Sequence, residues 1–261
     1  MTPVRRVVLA FGLVLAAYVA FRLVGDSVEF EGLAKIGLWV GPCMLALALT
    51  GPGTANYVFR KLGLTNSPAA GYAFGLFAAL PTAVALLFTT PAPLGVTAVV
   101  NGVLLGPFAE EVLFRGYLMR QLIRAGWRPL VAIVASALAF GLAHLGNVNL
   151  NVAQGFVSGA AVVAMTTGGG LLLGWIVLRW DSLWPAIGLH TFMNLSWQIF
   201  GVNDWTAASQ VGVRAPESAL ANTARAATIV IAIALTLLRS RAQRRVVLQG
   251  ITRRAGEWGI G

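Results

Sequence analysis

Both histidines of the chain, His144 and His190, lie in apolar stretches, as do adjacent glutamates Glu110 and Glu111, with Arg115 and Asn194. These six are the notable polar side chains of the apolar stretches. The run from Leu94 to Ala109, just before the second carboxylate pair member's partner Glu110, has no charged residue. A charged side chain at the centre of a membrane helix costs about 2.5–3.5 kcal/mol on insertion scales, so three of them in one such segment point to use. A carboxylate beside a water can act as general base. Imidazole and amide donors can hold the oxyanion formed when water attacks a peptide carbonyl. The set therefore suggests hydrolysis. The same Glu110, His144 and His190 could instead ligate zinc, as in other metallopeptidases. Nucleophilic catalysis is disfavoured: Cys43, the one cysteine, is remote in sequence, and no serine stands at helical hydrogen-bonding spacing from either histidine.

Helical spacing sorts the groups. Glu111 and Arg115 are four apart and share a face, where they can pair. Glu110 is rotated by about 100° from Glu111, so one carboxylate is neutralised while the other points elsewhere. Phe140 and His144 share a face, as do His190 and Asn194. Phe140 reads as packing, and Asn194 serves equally well as helix–helix glue. At about 1.5 Å per residue, Glu111 is ~20 Å from Arg124, His144 ~24 Å from Arg128 and His190 ~14 Å from Asp181 along their helices. All three can meet inside a hydrocarbon core about 30 Å thick, with His144 the deepest unless its helix is tilted or starts below the surface.

In order, Glu110-Glu111-x-x-x-Arg115, Phe140-x-x-x-His144 and His190-x-x-x-Asn194 resemble the motifs of the CAAX-protease and bacteriocin-processing (CPBP) family, intramembrane endopeptidases similar to the type II CAAX prenyl protease. The resemblance covers about residues 60–200 with no departure at the motif positions. It implies an all-α fold of eight transmembrane helices around an intramembrane catalytic chamber open to the cytoplasm and to lipid. It implies that Glu110 activates the water, His144 helps orient it, His190 and Asn194 stabilise the oxyanion, and Glu111 with Arg115 is supporting architecture. The substrate it implies is a membrane-bound or lipidated peptide or protein, with prenylated CAAX-type proteins as the model case. Whether a metal takes part stays open between zinc and none. A non-catalytic membrane protein (a transporter, proton relay or bacteriocin-immunity scaffold) would use the same cluster for binding or proton movement, and is the alternative reading.

The elements that must position these groups follow from composition. Of 261 residues, 57% are hydrophobic and 11% charged, against about 25% charged in an average soluble protein. The class is a polytopic membrane protein, one domain over residues 1–261 with a motif-bearing core at about 60–200 and a basic tail at 239–261. Eight apolar stretches are expected as spans: 7–24, Leu33–Leu49, Pro68–Thr89 with a kink at Pro81, Leu94 to about Ile123, Pro129–Leu145, Val152–Leu178, Leu183–Phe200 and about Ala221–Leu238. The first is read as a retained helix rather than a cleaved signal peptide. An amphipathic piece near 56–64 is expected on the membrane surface. Asp26, Glu29 and Glu31 mark an acidic loop, Pro91 and Pro93 a turn, and 146–151 and 204–217 polar loops.

The net charge of +10 is explained by topology rather than nucleic acid, because its arginines form short clusters between apolar runs. With both ends cytoplasmic, that side carries fourteen of the nineteen basic residues: Arg5, Arg6, Arg60, Lys61, Arg120, Arg124, Arg128, Arg179 and the six tail arginines. The far side carries four, Arg22, Lys35, Arg214 and Arg225, and Arg115 lies within a span. The basic composition and the absence of a eukaryotic sorting signal point to a prokaryotic plasma membrane. Glycines 168–170 and Gly174 are expected at close helix contacts. Trp127, Trp180 and Trp184 are expected as interface anchors, and the basic tail at anionic lipid.

Overall fold

The computed structural model describes residues 2–24, 31–64, 67–88, 95–147, 155–199, 220 and 222–240, and among these every regular element is helical. The helices are α1 (Pro3–Val24), α2 (Gly32–Leu49), α3 (Ala55–Leu62), α4 (Pro68–Ala78), α5 (Leu80–Leu86), α6 (Val96–Arg124), α7 (Pro129–Ala143), α8 (Gly155–Trp180), α9 (Trp184–Ile199) and α10 (Asn222–Ser240). The chain is an all-α polytopic membrane protein. Helix occupies each of the eight expected stretches. Among the described residues, five helices (α1, α2, α6, α8 from Gly159 and α10) have the length and apolarity to cross a membrane, and α7 is a shorter apolar helix. Length and composition therefore support five crossings. The turn at Pro91 and Pro93, the acidic residues Asp26 and Glu29, the loop residues 148–151 and 204–217 and the tail from 241 onward lie outside the described residues.

Proline and glycine explain the punctuation. Pro81 has no amide hydrogen and its ring crowds the preceding turn. The expected span is accordingly broken at Ala79 (φ −85°, ψ 3°), where α4 ends and α5 begins. Helix α3 starts with the Thr54 hydroxyl accepting from the Tyr57 amide at 3.3 Å. It ends on Gly63 in the left-handed region (φ 86°), with Leu64 N donating to Phe59 O at 2.8 Å and Gly63 N to Arg60 O at 3.2 Å. That is a Schellman cap, which glycine enters without a Cβ penalty.

The close helix contact is made elsewhere than at the 168–169 glycines. Gly168 and Gly169 have nothing within 4 Å of a would-be Cβ. Gly170 and Gly174 do sit against α7 neighbours, at Ala137 and Ile133. The tightest approach is between α4 and α9, where Gly71 and Gly75, four apart, meet the backbone of Trp184 and Gly188. Small residues at this spacing let two backbones touch, which lipid-embedded helices exploit in the absence of a hydrophobic drive between them.

One end of the bundle gathers the arginines. Arg6 at the start of α1 donates to Arg124 O at 2.9 Å, Arg124 donates to Lys61 O at 2.6 Å, and Arg120 pairs with Asp181 at 3.2 Å. Leu183 N donates to Gly63 O at 2.9 Å, tying the entry to α9 to the end of α3. Arg6, Lys61, Arg120 and Arg124, four of the residues assigned to one membrane side by charge, are thus linked in space. At the opposite end, the first turn of α2 is fixed on α6 through Gly32 N and Asn101 Oδ1 at 3.1 Å.

Candidate active site

Glu110 stands midway along α6, fourteen residues from Val96 and from Arg124, with Glu111 next to it. That helix is not uniform. The α-turn Gly106–Glu111 lies between two π-wound stretches, Val99–Leu105 and Val112–Met119. Such windings recur at functional sites because they rephase side chains within one helix. Pro107 supplies a local reason. In the π stretch Gly106 N donates to Asn101 O, so the next bond would run from residue 107 to Gly102 O, and Pro107 has no hydrogen to give. Asn194 of α9 fills the gap, its Nδ2 donating to Gly102 O at 2.9 Å. In the second π stretch, the Ser136 hydroxyl of α7 donates to Phe114 O at 2.7 Å.

The two carboxylates differ in surroundings. Glu111 is fully buried, and its Oε1 accepts from Arg115 Nη1 at 2.8 Å, the i,i+4 pair expected from spacing. The same oxygen accepts from His190 Nδ1 at 2.9 Å. Arg115 is also fully buried, with its guanidinium carbon 4.2 Å from the centre of the Phe140 ring. Glu110 and His190 retain a little surface, 6% and 7%. Glu110 is not the unpaired carboxylate that helical spacing alone suggests. Its Oε1 lies 3.1 Å from Lys35 Nζ of α2, and its Oε2 3.7 Å from His190 Nε2.

Lys35 corrects the charge tally. Counted as a far-side residue, it is instead a member of the buried cluster, its side chain 16% exposed. The far side then keeps three basic residues and the spans hold two, Lys35 and Arg115. The cluster is charge-balanced, two carboxylates against two cations. Unpaired, each buried ion would cost several kcal/mol, and this pairing is what makes the burial tolerable. The signal was present in the sequence: Lys35 lies inside the second expected span, though its nearness to Asp26, Glu29 and Glu31 made it look like a loop charge.

Phe140 is the hub that brings the motifs together. Its ring is 4.5 Å from the His144 ring, 5.9 Å from the His190 ring and 5.3 Å from the Phe114 ring. The backbone fixes the His144 tautomer. Its Nδ1 is 2.8 Å from Phe140 O, and a carbonyl only accepts, so Nδ1 carries the hydrogen and the neutral ring keeps an acceptor at Nε2. The depth problem of His144 also has an answer. Helix α7 ends at Ala143, His144 opens a 3-10 turn, and its ring folds back over Phe140 rather than continuing inward.

The structure therefore joins Glu110, Glu111, Arg115 and His190 directly, brings His144 against them through Phe140, and sets Asn194 on the α9 face of His190 with one amide hydrogen committed to Gly102. Among the described residues no three His, Cys, Asp or Glu side chains are grouped to hold an ion, and Glu110 Oε1 is engaged by Lys35 at 3.1 Å.

Comparison with known proteins gives a match over part of the chain. Residues 91–196 match the family model described as type II CAAX prenyl endopeptidase Rce1-like. The matched segment contains all seven motif residues and does not reach Lys35. No curated protein and no solved structure matches the chain.

Proposed function

We propose that this chain, whose residues 91–196 match the Rce1-like model, is a membrane-embedded protease that acts on a membrane-associated substrate by a glutamate-based mechanism. The observation that carries the proposal is the division of labour between the carboxylates. Glu111 is fully buried and engaged by Arg115 and His190, whereas Glu110 keeps surface and directs Oε2 toward His190 Nε2. Glu110 takes a proton from water as the oxygen attacks the peptide carbonyl carbon. His144, an acceptor at Nε2, orients that water. The remaining amide hydrogen of Asn194 is a donor for the oxyanion, and His190, whose Nδ1–H is given to Glu111, adds a second from Nε2 when the ring carries both hydrogens. Collapse of the tetrahedral species breaks the C–N bond, and Glu110 returns the proton to the leaving amine. The mechanism draws no step through a metal.

The substrate is a peptide bond in a lipidated or otherwise membrane-anchored chain. The protein sits in a prokaryotic plasma membrane with both ends cytoplasmic, the arginine-rich end of the bundle facing inward. The test is cleavage of a farnesylated C-terminal peptide and of an unprenylated membrane-anchored peptide by the purified protein in lipid. Glu110→Gln is expected to abolish cleavage while the thermal transition is retained. Cleavage undiminished by Glu110→Gln refutes the mechanism. A tight chelator is expected to leave the rate unchanged; inhibition reversed by zinc would return the metal alternative. Protein that folds and cleaves neither peptide leaves the non-catalytic reading standing.

A further inference from the structure

The site is not complete within the motif-bearing segment. Glu110 Oε1 is met at 3.1 Å by Lys35 Nζ, which comes from α2, outside residues 91–196. The ammonium is itself held by aromatic rings, 5.4 Å from the centre of Phe21 on α1 and 5.4 Å from Trp39 on α2. Those rings are braced in turn. Phe21 and Trp39 meet edge-on at 5.3 Å, Trp39 meets Phe114 of α6 at 6.3 Å, and Trp39 Nε1 donates to Ala17 O at 3.1 Å. A lysine has a flexible stem, and here rings on two helices and a carboxylate restrict it. Such a clamp limits the motion of the carboxylate it grips.

We propose that Lys35 is a positioning residue for catalysis, pinning Glu110 through Oε1 so that Oε2 is the working oxygen, presented to the water beside His190 Nε2. This rests on the proposed role of Glu110 as base. It makes α1 and α2 part of the active site. Lys35 acts through Glu110, so its removal affects the chemical step more than substrate binding. A base displaced by about 1 Å can lose on the order of a hundredfold in rate.

The experiment uses full-length protein in lipid, with cleavage kinetics and thermal unfolding measured on the same samples. Lys35→Met removes the ammonium and keeps the bulk. It is expected to lower kcat at least about tenfold with KM within about twofold, the pattern of an interaction made in the transition state. Lys35→Arg, which can still grip Oε1, is expected to recover most of kcat. Lys35→Met is also expected to lower the unfolding temperature by stranding Glu110, and Lys35→Met/Glu110→Gln to regain that loss. A Lys35→Met protein with wild-type kcat, or one in which KM alone rises, overturns the proposal. So does additivity of the two unfolding shifts, which would mean that the groups do not interact. Failure of the function itself looks different: wild type would be inactive, or Glu110→Gln fully active, while the unfolding cycle still reported on the pair.

Discussion

The two halves of the polar cluster are built by different means. The α6–α9 half joins the fully buried Glu111 and Arg115 to His190, is paired at 2.8 and 2.9 Å and is carried by sequence motifs. The N-terminal half, Lys35 with its aromatic rests, comes from α1 and α2, lies outside the matched segment and meets the cluster at Glu110, 3.1 Å away. The first half makes charge burial tolerable and fixes the imidazole. The second adjusts the one carboxylate that retains surface. A site can therefore have its framework in the motif-bearing helices and its fine positioning in helices that no motif marks.

The sharpest break of this comparison is Arg115→Met. It leaves Glu111 in a fully buried position with only His190, and removing one partner of a buried pair costs about 3–5 kcal/mol. The expected result is loss of folded protein, or a large drop in unfolding temperature in detergent, along with loss of cleavage. The paired change Arg115→Met/Glu111→Gln is expected to recover much of the stability and none of the activity, because His190 then lacks its carboxylate. A small effect of Arg115→Met would show that the framework role is misassigned.

A smaller effect separates scaffold from site. Gly75→Ala puts a Cβ onto the Gly188 backbone, and two helix backbones cannot yield as a flexible side chain can. Overpacking of this kind costs about 1–3 kcal/mol. The expected outcome is a lower unfolding temperature with kcat little changed for the folded fraction. Trp39→Leu is expected to cost about 2 kcal/mol, through the lost bond to Ala17 O and the lost ring contacts. It differs in kind, because it loosens the rest of Lys35 and so should lower kcat as well. Equal kcat losses in the two variants would erase the distinction between the N-terminal helices and the rest of the scaffold.

These residues also explain what was readable from sequence. The Glu111–Arg115 pair follows from i,i+4 spacing, and the kink at Pro81 from the missing amide hydrogen; both are local rules. The six polar motif residues stood out because polar groups are conspicuous in apolar runs. Lys35 did not, since the pairing that identifies it spans 75 residues and its nearest charged neighbours in sequence are acids. The contact of Gly71 and Gly75 with Gly188 was missed while the longer glycine run drew attention, because spacing marks a helix face but not which helix will meet it. The π windings around the glutamates, which set the phase of every side chain in the site, have no periodic signature at all.

The smallest expected effect concerns Asn194, and it tests the link from Pro107 to α9. Pro107 has no hydrogen to give Gly102 O, and Asn194 Nδ2 supplies a bond there at 2.9 Å. Asn194→Ala is expected to cost about 1 kcal/mol. Its effect on kcat should be at least as large as its effect on stability if the other amide hydrogen serves the oxyanion. Pro107→Ala restores a backbone hydrogen that can reach Gly102 O. In that background the stability cost of Asn194→Ala is expected to shrink toward zero while the loss of kcat persists. If the kcat loss vanishes with the stability loss, Asn194 is helix–helix glue and the oxyanion is left to His190. If the stability cost is the same in both backgrounds, proline is not the reason that the carbonyl needed a partner.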